Sequence, residues 1–322
     1  MSLSVLVTGA SGFVGRALVG RLSSDARRLQ VRAASRRGEV YDALVQGFRA
    51  PDLGANADWH AALRGVQAVF HCAARVHVMN EQSADPLAEF RRVNVEGTLQ
   101  LARQAVEAGV RRFIFVSSIK VNGEQTLPGK AFCADDESQA CDPYGISKRE
   151  AEDGLLALAA ETGLEVVIVR PPLIYGPGVK ANFLRMLSWV NKEVPLPFGA
   201  IDNRRSLVAL DNLVDLLVLC LSHPAAPGQR FLVSDGEDLS TTELLRRLGQ
   251  ALGRPARLLP VPQGLIKVAA LLAGRADLGQ RICGSLQVNI DKTRNLLDWA
   301  PPVSVDQALA KTAVHYLESP RS

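Results

Sequence analysis

The sequence predicts an α/β protein: a doubly wound parallel Rossmann sheet followed by a smaller, discontinuous C-terminal substrate domain. Three observations carry that expectation. A short β-rich run, Leu3 to Val7, feeds the glycine-rich turn Thr8-Gly9-Ala10-Ser11-Gly12-Phe13-Val14-Gly15, and Val14 to Leu22 then has the pattern of a helix. Apolar strand-like runs and stretches of helical spacing go on alternating as far as Arg170. Pro171-Pro172 and Gly176-Pro177-Gly178 then break the alternation, which places the first departure from the sheet domain there.

Taken in order, the further strands are expected at Val31 to Ser35, near Val45 to Arg49, at Val69 to His71, at Arg112 to Val116 and at Glu165 to Arg170. Helices are expected over 85–108 and from Pro143-Tyr144 to about Thr162, with a polar loop over 119–142 between them. The strand-like segments Arg205 to Val208 and Arg230 to Val233 are expected to return to the first domain. It therefore comprises 1–172 and 203–236, and the second domain 173–202 and 237–322.

The glycine turn has chemical meaning. A strand entering a helix through such a turn aims backbone N–H groups at one point, where the helix dipole also favours negative charge. Gly9 allows the tight turn, Gly12 the approach of a phosphate and Gly15 the packing of helix on strand, so Gly9, Ser11, Gly12, Phe13, Val14 and Gly15 are expected to line a dinucleotide. The end of the second strand reads Ser35-Arg36-Arg37 with no acid before Glu39, which favours NADP(H), whose 2′-phosphate the arginines can pair. Ser35 can equally bond a free ribose hydroxyl, which leaves NAD(H) as the alternative. Asp52 and Leu53 are expected by the adenine, and the small residues Cys72, Ala73 and Ala74 where the cofactor passes the fourth strand.

Catalytic groups follow from spacing. Ser117 and Ser118 end an apolar strand on the side where open parallel sheets bind ligands. Tyr144 and Lys148, four apart on a helix, share one face. A nearby ammonium is expected to lower the phenol's pKa and make Tyr144 an effective acid–base group, with Lys148 also holding the nicotinamide ribose. Ser118 is then the donor to a carbonyl oxygen as charge develops on it. A surface Tyr–Lys pair and an ordinary glycine loop are the plain alternatives, and finding all three features together argues against both.

At 322 residues, 47% hydrophobic and 22% charged, the chain has the composition of a soluble globular protein. No apolar run reaches the ~20 residues of a membrane span, and Met1-Ser2-Leu3 leaves no room for a signal peptide, so membrane insertion is not expected and a cytoplasmic location is. The five cysteines are dispersed and lack zinc spacing, so they are read as free thiols and no metal is expected. A net charge of +4 with dispersed basic residues speaks against nucleic acid and for an anionic small ligand.

With TGASGFVG, YGISK, Asn94-Val95-Glu96-Gly97-Thr98, Phe115-Val116-Ser117-Ser118 and Arg170 to Gly178, the chain resembles the extended short-chain dehydrogenase/reductases over essentially its whole length. That group contains nucleotide-sugar epimerases, dehydratases and 4-keto reductases. The resemblance implies that Asn94 supports the active-site helix at the cofactor and that Pro171 also lies against the cofactor. It implies that Asn182, Arg205 and Arg281 meet a nucleotide diphosphate, with Lys120 beside the sugar, and that the enzyme is a homodimer. Ile119-Lys120 after Ser118 lacks the Asp-Glu pair of a 4,6-dehydratase, and Leu173 stands where the group often has Asn. The stretches SSIKVNGE and RPPLIYGPGVKANF resemble bacterial O-antigen enzymes, which implies reduction of a UDP-2-acetamido-2,6-dideoxy-hexos-4-ulose, a UDP-linked amino sugar, to UDP-QuiNAc or UDP-FucNAc. A UDP-hexose(NAc) 4-epimerase holding NAD is the rival reading. A non-catalytic NAD(P)-binding regulator is the distant one, disfavoured by the intact Ser118, Tyr144 and Lys148.

Overall fold

The computed structural model describes residues 3–25, 29–38, 45–76, 85–127, 129–274 and 276–319. The chain begins with β1 (Ser4–Thr8), α1 (Phe13–Ser23), β2 (Gln30–Ser35), β3 (Val45–Arg49), α2 (His60–Leu63) and β4 (Ala68–His71). There follow α3 (Pro86–Arg91), a π-helical turn at Arg92–Glu96, α4 (Gly97–Glu107), β5 (Arg112–Val116), α5 (Pro143–Thr162), β6 (Glu165–Arg170) and β7 (Leu173–Tyr175). The remainder comprises α6 (Ala181–Asn191), β8 (Arg205–Ala209), α7 (Leu210–Cys220), β9 (Arg230–Leu232), β10 (Asp238–Leu239), α8 (Thr241–Ala251), α9 (Gln263–Leu272), α10 (Ala276–Cys283), α11 (Asp291–Leu297) and α12 (Val305–Glu318).

Seven strands form one sheet in the order β3-β2-β1-β4-β5-β6-β9, and every pair in it is parallel. Alternate residues of these strands point to opposite faces and divide the core. Val5, Val7, Phe70, Ile114 and Val167 pack with α1 and α7 on one face. Leu6, Val69, Phe113, Phe115 and Ile168 pack with α4 and α5 on the other. Burial on both faces explains why the strands read as continuous apolar runs.

The predicted doubly wound sheet is therefore present, with one strand placed otherwise than expected. Arg205 to Val208 does not return to the main sheet. As β8 it pairs in parallel with β7 and antiparallel with β10, in a separate three-stranded sheet. The physical reason is that the free edge of β6 is taken by β9, where Val169 pairs with Phe231. Leu207 and Ala209 of β8 instead face Tyr175, Phe183, Leu187, Leu245 and Leu309, the core shared by α6, α8 and α12. Arg230 to Leu232 does rejoin the main sheet as expected. No described helix is long and apolar enough to cross a membrane, and all five cysteines are free.

One contact fixes how the first turn meets the sheet. Gly9 has φ +66°, and a Cβ there would lie 2.7 Å from the Ala73 amide nitrogen, so the β1 turn and the end of β4 touch backbone to backbone. A Cβ on Gly15 would lie 2.2 Å from the Gly9 carbonyl oxygen, whereas Gly20, one and a half turns along the same helix, has open space around it. Gly15→Ala is expected to cost about 1–3 kcal/mol in urea unfolding through overpacking. Gly20→Ala is expected to be neutral or to stabilise by up to about 1 kcal/mol, because its only effect is on helix propensity.

Candidate active site

The carboxyl ends of β1, β4 and β5 and the start of α5 converge on one place. Asp142 caps α5, its Oδ1 accepting the Gly145 N–H at 2.5 Å, and Pro143 occupies the first turn, where its missing N–H costs nothing. This fixes the helix start, and with it the Tyr144 ring. Ile119 N–H bonds the Pro171 carbonyl at 3.0 Å, which brings the end of β6 beside Ser118.

The Ser118 hydroxyl lies close enough to the Tyr144 phenol to favour its ionised form. Lys148 is 2% exposed, and its Nζ donates to the Val116 carbonyl at 2.9 Å while standing 4.4 Å above the Phe115 ring. The three sequence-predicted catalytic residues are thus assembled, but their electrostatics differ from expectation. Burial pushes the Tyr144 phenol up to about 12, the Ser118 hydroxyl pulls it back in part, and Asp142 pushes it further up. The expected lowering by Lys148 is overridden because the ammonium is turned toward the Val116 carbonyl, 6.0 Å from the Tyr144 ring centre. Burial also lowers Lys148 to about 8, against the opposing pull of Glu152.

Behind these groups lies a buried ionic cluster. Glu152, 1% exposed, accepts two hydrogen bonds from Arg170 Nε at 2.9 and 3.2 Å and one from Arg170 Nη2 at 2.5 Å. The Ser117 hydroxyl donates to the same carboxylate at 2.5 Å. Arg170 Nη1 reaches on to Asn122 Oδ1 at 3.0 Å. Removing one partner of a fully buried pair costs about 3–5 kcal/mol, because the other charge is left uncompensated. Glu152 and Asp142 have no role in the sequence reading, and Arg170 enters it only as a letter in a motif. Glu152 is four residues after Lys148 and eight after Tyr144, so helical periodicity is the signal that points to it.

The dinucleotide cradle fits its expected occupant. Gly12 is the N-cap of α1, and no side chain bonds into that cap, so the leading amides of the helix meet no protein acceptor within it. Phe13 and Val14 are half-buried and anchor the turn to the core, while Ser11 and Gly12 are exposed. Arg36 and Arg37 are exposed at the tip of a turn closed by the Gly38 N–H on the Ser35 carbonyl, and Asp52 is exposed on the next strand's exit. The Leu53 carbonyl accepts from Arg92 at 3.2 Å. Cys72, Ala73 and Ala74 are half-buried beside Gly9, and burial pushes the Cys72 thiol up to about 12.

Two residues expected at the cofactor have their side chains bonded within the protein. The Ser117 hydroxyl is spent on Glu152, and its N–H on the Val169 carbonyl at 2.7 Å. The Asn94 side chain is 1% exposed, accepting from the Arg75 N–H at 2.8 Å and donating to the Arg75 carbonyl and the Ser147 hydroxyl, both at 3.0 Å. Ser147 in turn donates to the Tyr144 carbonyl at 2.8 Å. Asn94 therefore positions the catalytic helix with its side chain already satisfied.

Of the predicted substrate contacts, Arg205 and Arg281 come together. Arg205 Nη1 donates to the Arg281 and Gly284 carbonyls at 3.2 and 2.9 Å. Among the described residues no carboxylate pairs with Arg205, and burial lowers its pKa, as expected of a cation without a countercharge. Lys120 is engaged instead with Asp142 and, at 3.2 Å, with Glu124. Asn182 is exposed in the first turn of α6, and no described bond joins it to Arg205. Among the described residues no group of His, Cys, Asp and Glu could hold a metal.

The chain belongs to the NAD dependent epimerase/dehydratase family, whose model matches residues 5–234. It is 46% identical over 320 residues to a Vibrio cholerae protein named UDP-glucose 4-epimerase, covering 99% of this chain and 97% of that one. A maize dihydroflavonol 4-reductase is 32% identical over 251 residues, covering 70% of this chain and 68% of that protein. The fold matches the Bacillus cereus UDP-glucuronic acid 4-epimerase in complex with NAD, with a TM-score of 0.78 at 20% identity over 98% of this chain and 99% of that one. It also matches the Thermotoga maritima UDP-glucose 4-epimerase with UDP-glucose, with a TM-score of 0.77 at 20% identity and the same coverage.

His71 lies beneath the site and plays no part in the sequence reading. It is fully buried, with Nδ1 2.7 Å from Thr8 Oγ1 and Nε2 3.0 Å from Thr98 Oγ1, and it stacks on Phe115. Burial, and secondarily Lys148, lower its pKa from 6.5 to about 3. Between those values the unfolded chain binds a proton that the folded chain refuses, so acidification through that window removes stability. At about pH 5 the loss from this one group is about 2 kcal/mol. His71→Gln, which can still bond both threonines, is expected to lose less stability between about pH 7 and about pH 5 than the parent in denaturant unfolding.

Proposed function

We propose that the chain is a UDP-sugar 4-epimerase that works with resident NAD. The observation that carries this reading is the assembled Ser118, Tyr144 and Lys148 beside the Gly9–Gly15 cradle, in a chain 46% identical along nearly its whole length to a protein named UDP-glucose 4-epimerase. That relationship favours epimerisation over the 4-keto reduction expected from sequence. When bound, NAD supplies the acceptor and then the donor of the hydride at C4 of the sugar. Tyr144 in its phenolate form, which the positive charge of bound nicotinamide would favour against the effect of burial, takes the proton of the 4-hydroxyl as C4 is oxidised and returns one as it is reduced. Ser118 holds the same oxygen, and Lys148 supplies positive charge beneath both. Arg205, with Arg281 beside it, pairs with the UDP diphosphate, since it is a half-buried cation lacking a carboxylate among the described residues. Asn182 is proposed to join them at the diphosphate, and the amino-sugar form of the substrate is kept as the finer proposal.

The reductase reading retains one supporting feature: Arg36 and Arg37 lie exposed at the end of β2, where an NADP 2′-phosphate would sit. One experiment separates the two. Incubated with UDP-glucose or UDP-GlcNAc and no added reductant, an epimerase interconverts the C4 epimers, seen by NMR, with no change in absorbance at about 340 nm. Net oxidation of NADPH with a 4-keto UDP-sugar, and no epimer formed in its absence, would restore the reductase.

Tyr144→Phe removes the proton carrier and keeps the ring, and kcat is expected to fall by ~10²–10⁴ or more while NAD is retained. Near-normal turnover would sink the assignment of Tyr144. Arg205→Ala is expected to weaken UDP binding by about 2–4 kcal/mol, so that UDP raises the thermal midpoint of the parent far more than that of the variant.

A further inference from the structure

Helix α9 inverts the usual arrangement of a surface helix. Its residues read Gln263-Gly264-Leu265-Ile266-Lys267-Val268-Ala269-Ala270-Leu271-Leu272, and none of them is buried. An amphipathic helix on a globular protein turns its apolar stripe to the core. Here Leu265 is 60% exposed, Val268 52%, Leu271 65% and Leu272 84%. At 100° per residue, Leu271, Val268, Leu272, Leu265 and Ala269 cover a continuous outward arc of about 160°. The opposite side rests on α10, where a Cβ on Gly279 would lie 2.8 Å from Ala270 Cβ. The helical hairpin is pinned at both bases. Before α9, Gly199 N–H bonds the Leu259 carbonyl at 2.9 Å, and after α10 the Gly284 carbonyl holds Asn203 at 2.8 Å.

We propose that this hairpin is a docking surface for an anionic lipid membrane, on which α9 lies with its leucine face in the headgroup region. Three observations select a lipid surface from among the occupants an apolar face could have. The arc is wide and convex and continues to the C-terminal end of the helix. Packing against α9 of a second copy would cover only a narrower seam and leave part of it wet. The free charge on the hairpin is basic: Arg246, Arg247, Arg254 and Arg257 are paired with Glu243, Glu237, Asp306 and Glu193, while among the described residues no carboxylate pairs with Lys267 on α9 or Arg281 on α10. Two copies face to face would oppose like charges, whereas anionic headgroups complement them. The length fits as well. Ten residues of helix reach ~15 Å, about half the hydrocarbon thickness, so α9 can lie in the interface without spanning it.

Docking there would hold the mouth of the diphosphate site against the membrane, because α10 leads directly to the Arg281 and Gly284 carbonyls that position Arg205. The inference stands independently of which sugar reaction the enzyme performs.

The test is flotation of the full chain with vesicles of phosphatidylcholine alone or of phosphatidylcholine and phosphatidylglycerol in equal parts. The parent is expected to float with the anionic vesicles, and to be released by high salt to the level seen with neutral ones. Val268→Asp with Leu272→Asp, both at exposed positions, is expected to lower the bound fraction at least about tenfold with the thermal midpoint unchanged. Lys267→Glu is expected to weaken binding to anionic vesicles selectively. A parent that stays in solution with both vesicle types overturns the proposal, as does an aspartate variant that floats like the parent. Size-exclusion chromatography covers the remaining case: no flotation, with a dimer in the parent and a monomer in the aspartate variant, gives the face to a second copy.

Discussion

The catalytic geometry depends on one buried ion pair. Glu152 on α5 and Arg170 at the end of β6 meet with almost no solvent, and the carboxylate also takes the hydroxyl of Ser117 at the end of β5. Three elements that each carry part of the site are thereby locked at one point, one turn below Lys148. A charged pair in such a place is an expensive way to gain stability. What it supplies is position: α5 cannot rotate or slide without breaking several charge-assisted bonds at once. It also places a negative charge where it opposes the loss of the Lys148 proton to burial.

A second set of bonds works from the other side. Asn94, in a π-helical turn, joins the Arg75 backbone to Ser147, which bonds the Tyr144 carbonyl. A wider helical turn at that point is a local irregularity of the kind found at functional sites. Asp142 caps the helix just ahead of Tyr144. Tyr144 is therefore fixed through its own backbone, through the cap before it and through the ion pair behind it. The Tyr144 side chain, the proposed proton carrier, is left facing Ser118 and packed against Phe90.

Much of this was legible in the sequence, for identifiable reasons. β5, α5 and β6 fall at their expected limits because a strand buried on both faces is a continuous apolar run and because Asp142-Pro143 is a strong helix start. The triad was legible because it is local, a strand end and one helical turn. β8 was not, since an apolar strand carries no mark of which sheet it will join; that depended on β9 having taken the edge of β6. The state of Tyr144 was not legible either, because it turns on where the Lys148 ammonium points. Lys120, which the resemblance places beside the sugar, has its charge taken by Asp142, a pairing that chain position does not reveal.

The position of β9 has a consequence for how the polypeptide is made. β6 is Glu-Val-Val-Ile-Val-Arg, and its neighbour on the far side arrives only with Arg230–Leu232, some sixty residues later in the chain. While the ribosome is still delivering β7, α6, β8 and α7, the nascent sheet presents β6 as an open apolar edge, the kind of surface that recruits other strands. Premature termination anywhere between 171 and 229 would release a chain with a nearly complete sheet and that edge unguarded. Such a fragment would be a substrate for chaperones or proteases, and synthesis of the last strand is what makes the sheet safe as well as whole.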